Sequence, residues 1–562
     1  MIYSIADNIW SPLGETTAEN YQAVKMGRTA LRRYEHHWQL PEAFTASLFS
    51  EQQTERLLMD GLTRFESLAV RSAHDAIQRS AIDVGSPRTI FILSSTKGNI
   101  EELAIDNSQF TIDNSQLMGE AARRIARRLG FTTEPVVVCN ACISGVAAIV
   151  LALRLLEAGT YDHAVVCGAD VQNKFTVSGF QSLKAVSEDA CRPFDIERIG
   201  LNLGEAAATI VFTNENDNQN ENAGSAGSPQ EGGRWAVLRG AVCNDAYHIS
   251  TPSRDGEGAR RALQEVLQDV RPDDLAFINA HGTATMYNDQ MESKAIERAG
   301  LGDVPVNALK GYYGHTLGAA GVLETILSMA ALDDHTILAT RGFEERGVSG
   351  KIRLSGEHQT THKHCFVKMI SGFGGGNAAV VLERREETGD RREESRPQCA
   401  ISLKQIKLTP ETPLTALYKE KIGDYPKYYK MDGLSRLGFV ASELLSGDGR
   451  QCARIILFNR SSSIAADRKY QASIAADDFF PSPSVFVYTL PNIVAGEIAL
   501  RQQWKTETSF YILPERNDAL MQQIVDASLK AGEQALTGWV DYEDDTHYEA
   551  ELLLVRKMTN DK

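Results

Sequence analysis

The sequence predicts an α/β protein with buried, mainly parallel sheets, and two observations predict it. Short apolar runs such as TIFILSS, PVVVCNA, HAVVCGAD, ATIVF and LAFINAHG alternate with helical segments such as MGEAARRIARRLG and GVAAIVLALRLLEAG. Strands that are apolar along their whole length belong in sheets covered by helices on both faces. The composition, 43% apolar and 23% charged over 562 residues, excludes a disordered or fibrous chain and leaves room for about three or four domains at ~150 residues each. In such a fold, functional groups are expected at strand ends and helix starts.

Taken in order, the start MIYSIADNIWSPLGE lacks the basic and apolar regions of a signal peptide. The most apolar later run, GVAAIVLALRLL, is short and broken by Arg154. A cytoplasmic protein without an integral membrane segment is the expectation. Formal charge is 58 − 74 = −16, so the surface as a whole repels nucleic acid and anionic lipid, and no nucleic-acid partner is expected. Eight cysteines, with a single CxxC pair at Cys139 and Cys142, no second pair and no CxxH, point to neither a disulfide scaffold nor a zinc site. Two polar stretches punctuate the chain. Thr213 to Arg234, rich in Asn, Gly and Ser, reads as a loop inside a domain. Arg384 to Gln398, with five arginines against four glutamates and one aspartate, reads as a linker. The predicted division is 1–385, a charged linker over 386–400, and a second domain over 401–562.

The chemistry concentrates in three segments. Cys142 lies where the strand PVVVC turns through small residues into a long helix. A thiol at a helix N-terminus feels the positive end of the macrodipole, which favours thiolate and suits a nucleophile. A small residue that lets strand and helix pack closely is the competing explanation, and it is the preferred one for Cys139 and Cys167. His281 directly follows an apolar strand in INAHGTATMYND, and Lys310 and His315 occupy a glycine-rich turn that opens another small-residue helix, KGYYGHTLGAAG. A lone histidine after a strand is ordinarily a core residue. Two of them with a helix-capping cysteine form a pattern that packing alone does not explain. Asp289 in YND is assigned a structural role rather than metal ligation.

At these residues the chain resembles the β-ketoacyl-acyl-carrier-protein synthases, decarboxylating condensing enzymes of the thiolase fold. The resemblance is carried by ACISG around Cys142, CRPFDIERIGLNLGEAA from Cys191, HGTATMYND from His281, KGYYGHTLGAAG from Lys310 and SGFGGGNAAVVL from Ser371, and spans roughly residues 1 to 385. It implies a duplicated, layered α-β-α-β-α fold, with a nucleophile half over about 1–250 and a histidine half over about 251–385. It also implies that Cys142 holds the acyl chain in an apolar tunnel, and that the backbone N–H groups of Cys142 and Phe373 form an oxyanion hole, with Phe373 gating entry. His281 and His315 would stabilise the enolate left when a malonyl group loses carbon dioxide. Lys310 and Glu324 would form a supporting buried pair. No metal or organic cofactor is implied. The implied partner is an acidic acyl carrier protein with phosphopantetheine-bound acyl and malonyl groups. Arg123, Arg124, Arg127 and Arg128 in RRIARR, and Arg198 in FDIER, are the candidates to hold it, with a solvated helix face as the alternative for the first four. The two-histidine pattern matches the elongating class better than acyl-CoA-primed synthases or thiolases, and a noncatalytic length-setting subunit remains the alternative from another class.

Residues 400 to 562 carry a degenerate internal repeat. YTLPNIVAGEIALRQQ aligns with NSQLMGEAARRIARR at Gly496-Glu497 and Gly119-Glu120, and LKAGEQALTGWVD aligns with LEAGTYDHAVVCGAD at Gly532 and Gly159. Counting from these anchors places the nucleophile position at Ala519 or Glu515, and the segment between contains no cysteine. The region resembles a truncated, inactive ketosynthase N-terminal half, similar to domains found in clusters for aryl polyene-type lipids. Condensing enzymes of this family dimerise through the central strand and the following helix. The chain is therefore expected as a homodimer or as a heterodimer with a related synthase, and the C-terminal region as either a built-in chain-length factor docked on that face or a passive scaffold.

Overall fold

The computed structural model describes residues 1–103, 116–214, 234–385, 399–411, 413–445, 452–474 and 479–559. Most of the expected polar loop, 215–233, and of the charged linker, 386–398, lies outside them. One mixed sheet of sixteen strands runs through the molecule. In chain order its strands are β1 (Ile2–Trp10), β2 (Thr89–Ser94), β3 (Val136–Val138), β4 (His163–Asp170), β5 (Ala206–Asn214), β6 (Arg234–Asn244), β7 (Leu275–Asn279), β8 (Pro305–Asn307), β9 (Arg353–Leu354), β10 (Cys365–Gly372), β11 (Gly376–Arg385), β12 (Ala400–Leu408), β13 (Arg454–Asn459), β14 (Glu507–Ile512), β15 (Gln534–Asp544) and β16 (His547–Lys557). Their lateral order is β9-β8-β7-β10-β11-β6-β1-β5-β4-β2-β3-β14-β13-β15-β16-β12.

Helices cover both faces, and local sequence explains where they begin and end. α1 (Arg64–Ser80) starts at a capping box between Thr63 and Glu66, which satisfies two otherwise orphaned amides. α2 (Met118–Leu129) buries Met118, Ala121, Ala122, Ile125 and Ala126 on one face and stops at Gly130, whose φ is 92°. α3 (Ser144–Glu157) is buried except at Arg154 and Glu157, as expected of a helix threaded through a core rather than laid on it. α4 (Met286–Arg298) and α5 (Ala320–Asp333) follow β7 and the turn after Lys310. The N-termini of α3 and α5 meet at paired glycines. A β-carbon on Gly145 would lie 2.9 Å from the Val322 nitrogen, and one on Gly321 2.5 Å from that of Val146. This close approach brings the residues just before each helix together.

The C-terminal region repeats the first five strands. The order β1-β5-β4-β2-β3 is matched by β12-β16-β15-β13-β14. The senses match too: β2 is parallel to β3 and β4, as β13 is to β14 and β15, and the outer two pairings are antiparallel in both sets. Even a corner recurs. Asp170 at the end of β4 accepts from the Ser95 hydroxyl at 2.7 Å and the Thr96 amide at 3.1 Å, and Asp541 in β15 accepts from the Ser461 hydroxyl and amide at 2.5 and 2.9 Å. Helices α6 (Gly433–Leu445), α7 (Ile464–Ser473), α8 (Pro483–Tyr488), α9 (Ile493–Gln502) and α10 (Asp518–Ser528) complete this part.

The two five-strand sets join edge to edge. β3 pairs antiparallel with β14, Val138 opposite Tyr511 and Val137 opposite Ile512, and α3 packs on α10. Across the seam, Arg154 forks onto Glu507 at 2.6 and 2.8 Å, and Arg454 binds the same carboxylate. Among the described residues, no helix is long and apolar enough to cross a membrane.

Candidate active site

Cys142 sits in the turn Ala141–Ile143 that feeds α3 and is 9% exposed. The preceding Ala141 has a left-handed backbone, φ 49°, a conformation that costs a residue with a β-carbon of order 1 kcal/mol or more and persists only where its surroundings enforce it. Those surroundings are visible: the Ser144 hydroxyl accepts from the Asn140 amide at 2.8 Å, and the Asn140 side chain accepts from the Phe510 amide of β14 at 2.8 Å. The turn carrying the sulfur is thus braced by the C-terminal region.

His281 follows β7. Its amide and that of Gly282 both donate to the Glu292 carboxylate on α4 at 2.7 Å, which fixes the turn. His315 precedes α5, and its Nδ1 accepts from the Leu317 amide at 3.2 Å. A neutral imidazole carries one proton, so this contact leaves the proton on Nε2, as a donor. The rings stand edge to face with centroids 4.9 Å apart, and the ligand atoms of Cys142, His281 and His315 all lie within 4.8 Å of one another. Nδ1 of His281 and Nε2 of His315 are buried and hydrogen-bond to no described residue. Such atoms are costly unless something binds them.

The electrostatics keep the site neutral at rest. Burial, reinforced by the Lys310 ammonium, holds both imidazoles well below their usual range. Burial also pushes the Cys142 thiol up to about 12, against the opposing pull of Lys310 and of the amides of Cys142 and Phe373. The thiolate expected from the helix terminus is therefore corrected to a thiol, because loss of hydration outweighs the favourable amides and charge. A β-carbon on Gly372, the residue before Phe373, would lie 3.1 Å from the Cys142 nitrogen, so the two candidate oxyanion-hole segments run side by side.

Beneath the histidines, Lys310 donates to Glu324 Oε1 at 2.7 Å. The sequence reading missed the second lysine on this carboxylate, Lys368, which binds Glu324 Oε2 and reaches Asn279 at 2.8 Å and the Ala280 carbonyl at 3.2 Å. Burial draws the Lys368 ammonium down to about 8, and the paired lysines keep Glu324 below its usual value despite burial. A lysine inside the apolar run CFVKMIS was the available signal. Glu292 was missed too. Asp289 accepts from the Phe194 amide at 2.6 Å.

Phe373 stacks on Phe180 at 6.2 Å. Phe180 meets Phe486 of α8 edge-on at 5.4 Å, and Phe486 meets Tyr470 of α7 at 5.2 Å. Asn492 donates to the Phe373 carbonyl at 2.9 Å. The C-terminal region thus supplies both a clamp on the Phe373 loop and aromatic walls beneath it, which no local motif announced.

The arginine candidates separate. Arg198 is corrected from a partner-facing group to an internal brace: it is 3% exposed and donates to the carbonyls of Asp195 and Gly347 at 2.8 and 2.7 Å. Arg123 is spent on Glu120, Glu134 and Glu515, and Arg124 on the buried Glu66, so neither charge is available in the way the helical stripe predicted. Arg127 and Arg128 are exposed.

Comparison with known proteins agrees with this architecture. Residues 7–218 match the model of the β-ketoacyl synthase N-terminal domain, and residues 235–344 that of the C-terminal domain. A 3-oxoacyl-[acyl-carrier-protein] synthase 2 from Rhizobium meliloti is 35% identical over 263 residues, 44% of this chain and 60% of the relative. The ketoacyl synthase alpha subunit of the tetracenomycin polyketide synthase from Streptomyces glaucescens is 29% identical over 425 residues, 67% of this chain and 96% of the relative. Among solved structures, a ketosynthase in complex with its chain length factor from Xenorhabdus doucetiae matches with TM-score 0.55 and 25% identity, over 68% of this chain and 98% of that one. The PfaC keto synthase–chain length factor matches in fold with TM-score 0.76 at 14% identity, over 99% of this chain and 78% of that one.

Proposed function

Since the chain belongs to the β-ketoacyl synthase family, we propose that it catalyses the decarboxylating Claisen condensation of a malonyl-carrier-protein with an acyl chain held on Cys142, giving a β-ketoacyl-carrier-protein in fatty-acid, polyketide or aryl polyene-type biosynthesis. The observation that carries this reading is the convergence of Cys142, His281 and His315 within 4.8 Å, with an imidazole nitrogen of each histidine unpartnered.

In this reading Cys142 attacks the thioester of an acyl carrier. Its proton passes to His281, because the Leu317 amide already occupies Nδ1 of His315, and leaves on the carrier's thiol. With both histidines neutral again, their N–H groups bind the malonyl thioester carbonyl. Carbon dioxide departs, and the enolate they stabilise attacks the acyl-Cys142 carbonyl. The oxyanion forms against the amides of Cys142 and Phe373, then collapses to expel the sulfur as thiolate, which takes a proton from solvent. Neutral donors serve a charge that exists only during reaction better than fixed cations that would bind the substrate carboxylate.

The C-terminal region acts in this reading as a tethered chain-length factor. It has no cysteine between Glu515 and Ala519, it takes up the β3 edge and the α3 surface where a second synthase would dock, and it lines the apolar cluster under Phe373. The exposed Arg127 and Arg128 remain the candidates for contact with an acyl carrier. The test is mass spectrometry after mixing the protein with acyl carriers of graded chain length. Adducts on Cys142 with a sharp length cut-off are expected, and absence of any adduct would remove the assignment.

A further inference from the structure

A group of three histidines lies away from Cys142. His335 follows α5 after the capping Asp334, in the sequence DDHT, and has a left-handed backbone, φ 50°. His362 and His364, in THKHC, lead into β10, and alternate residues of an extended segment face the same way. The backbone holds the three in register: the Thr361 amide donates to the His335 carbonyl at 2.9 Å, and the Arg384 amide to that of His364 at 2.9 Å. The His335 ring lies 5.4 Å from that of His362 and 6.3 Å from that of His364, so it neighbours both. All three are exposed, and none of the imidazoles hydrogen-bonds to a described residue.

The neighbouring carboxylates are engaged but add negative potential. Asp333 accepts from the Trp235 indole at 3.2 Å and faces Arg384 at 3.4 Å, and Asp334 accepts from the Tyr21 hydroxyl at 2.5 Å and from Lys25. Lys363 points away, donating to the Leu275 carbonyl at 3.0 Å. The group lies at the start of β10, whereas Phe373 follows its end, so a ligand here touches no residue of the condensing site.

We propose that His335, His362 and His364 form a surface site for one divalent transition-metal ion of the zinc class. Zinc takes imidazole nitrogen at about 2.0–2.1 Å in tetrahedral geometry, which sets the ring centroids of two such ligands about 5 Å apart. The 5.4 Å pair is near that value, and the 6.3 Å pair requires the exposed side chains to change rotamer before all three rings converge on one ion. Three imidazoles and a water complete four ligands. Magnesium and calcium, which require oxygen donors, do not fit.

The experiment blocks Cys142 with iodoacetamide, which removes the buried cysteine–histidine group from the titration, and then titrates the full chain with cobalt(II) and zinc. One ion per chain is expected, with the visible bands of tetrahedral cobalt and no sulfur-to-metal charge-transfer band, and excess magnesium does not compete. Zinc raises the thermal midpoint of the parent. His335→Asn keeps a residue tolerant of the left-handed backbone and is expected to weaken binding at least tenfold and abolish the zinc-dependent rise, while unfolding as the parent does in chelator. His362→Gln gives the same loss. Variants that bind as tightly as the parent, or a parent that binds zinc no better than magnesium, would overturn the proposal.

Discussion

The strands β1-β5-β4-β2-β3 and the strands β12-β16-β15-β13-β14 share order, sense and the aspartate-braced corner at Asp170 and Asp541, yet only the first set leads to the cysteine proposed as nucleophile. Where α3 begins, Ala141 is forced left-handed and Cys142 turns toward two histidines. Where α10 begins, Asn517 caps the helix by accepting from the Leu520 amide, and the preceding Glu515 pairs with Arg123. Fold and chemistry are separable here. The same backbone, stripped of its sulfur and of any histidine half, retains an edge strand and a helix face that pack against the catalytic copy.

The largest expected effects test the catalytic side. Cys142→Ala should carry no acyl adduct and lose condensation by about 10⁴-fold or more, the scale seen when a covalent nucleophile is removed, with an unchanged unfolding curve. His281→Ala should still acquire the acyl group, more slowly, while extension falls by about 10²–10³-fold, as for loss of one donor to a developing oxyanion. Loading and extension are separated by single-turnover mass spectrometry. Normal extension by the histidine variant would assign the enolate to other donors.

The next prediction tests the seam. Glu507 is fully buried between Arg154 and Arg454 and is held down to about 2 by them, in spite of burial. Glu507→Gln leaves the Arg154 guanidinium without its counter-charge and Arg454 with only Glu533 at 3.5 Å, and should destabilise the chain by about 3–5 kcal/mol, read by denaturant unfolding. The pH dependence has a definite sign. Because the carboxyl is depressed in the folded state, its contribution is complete above the unfolded value of about 4.3 and is lost as pH falls from there toward 2. The parent should lose stability over that window, and the variant should lose less. Equal acid profiles would show that the seam does not depend on this ion pair.

Much of the candidate site was legible because it is local: Cys142, His281, Lys310 and His315 each sit in a short small-residue motif at a strand end or helix start. What was not legible is set by contacts distant in sequence. Lys368 acts on Asn279 and Glu324, 89 and 44 positions away, and Glu292 on amides 11 and 10 positions back. The arginine stripe at 123–128 showed its helical spacing but not the acids at 66, 134 and 515 that consume two of its charges. Burial defeated the thiolate inference in the same way, since exposure is a property of the assembled fold and not of the helix start. The strand repeat was readable only in fragments, through Gly496-Glu497 and Gly532, because a sheet order survives the loss of most side-chain identity.

The smallest effect is the most specific to the comparison. Phe486 of α8 is 2% exposed and lies so close to Gly179 that a β-carbon there would stand 2.0 Å from its ring. If the C-terminal copy sets the depth of the acyl pocket, Phe486→Leu should admit one further two-carbon extension, and Gly179→Ala, which crowds the same ring from the catalytic side, should shorten the accepted chain. Two methylenes are worth about 1.6 kcal/mol of apolar transfer, so the preference between acyl carriers differing by two carbons should move roughly tenfold in each direction. The effects should be non-additive in the double variant, since the two residues share one contact. A purely structural role would change stability in both variants and leave the product distribution where it was, so the ratio of product lengths, measured at equal loading of Cys142, separates a length-setting wall from a scaffold.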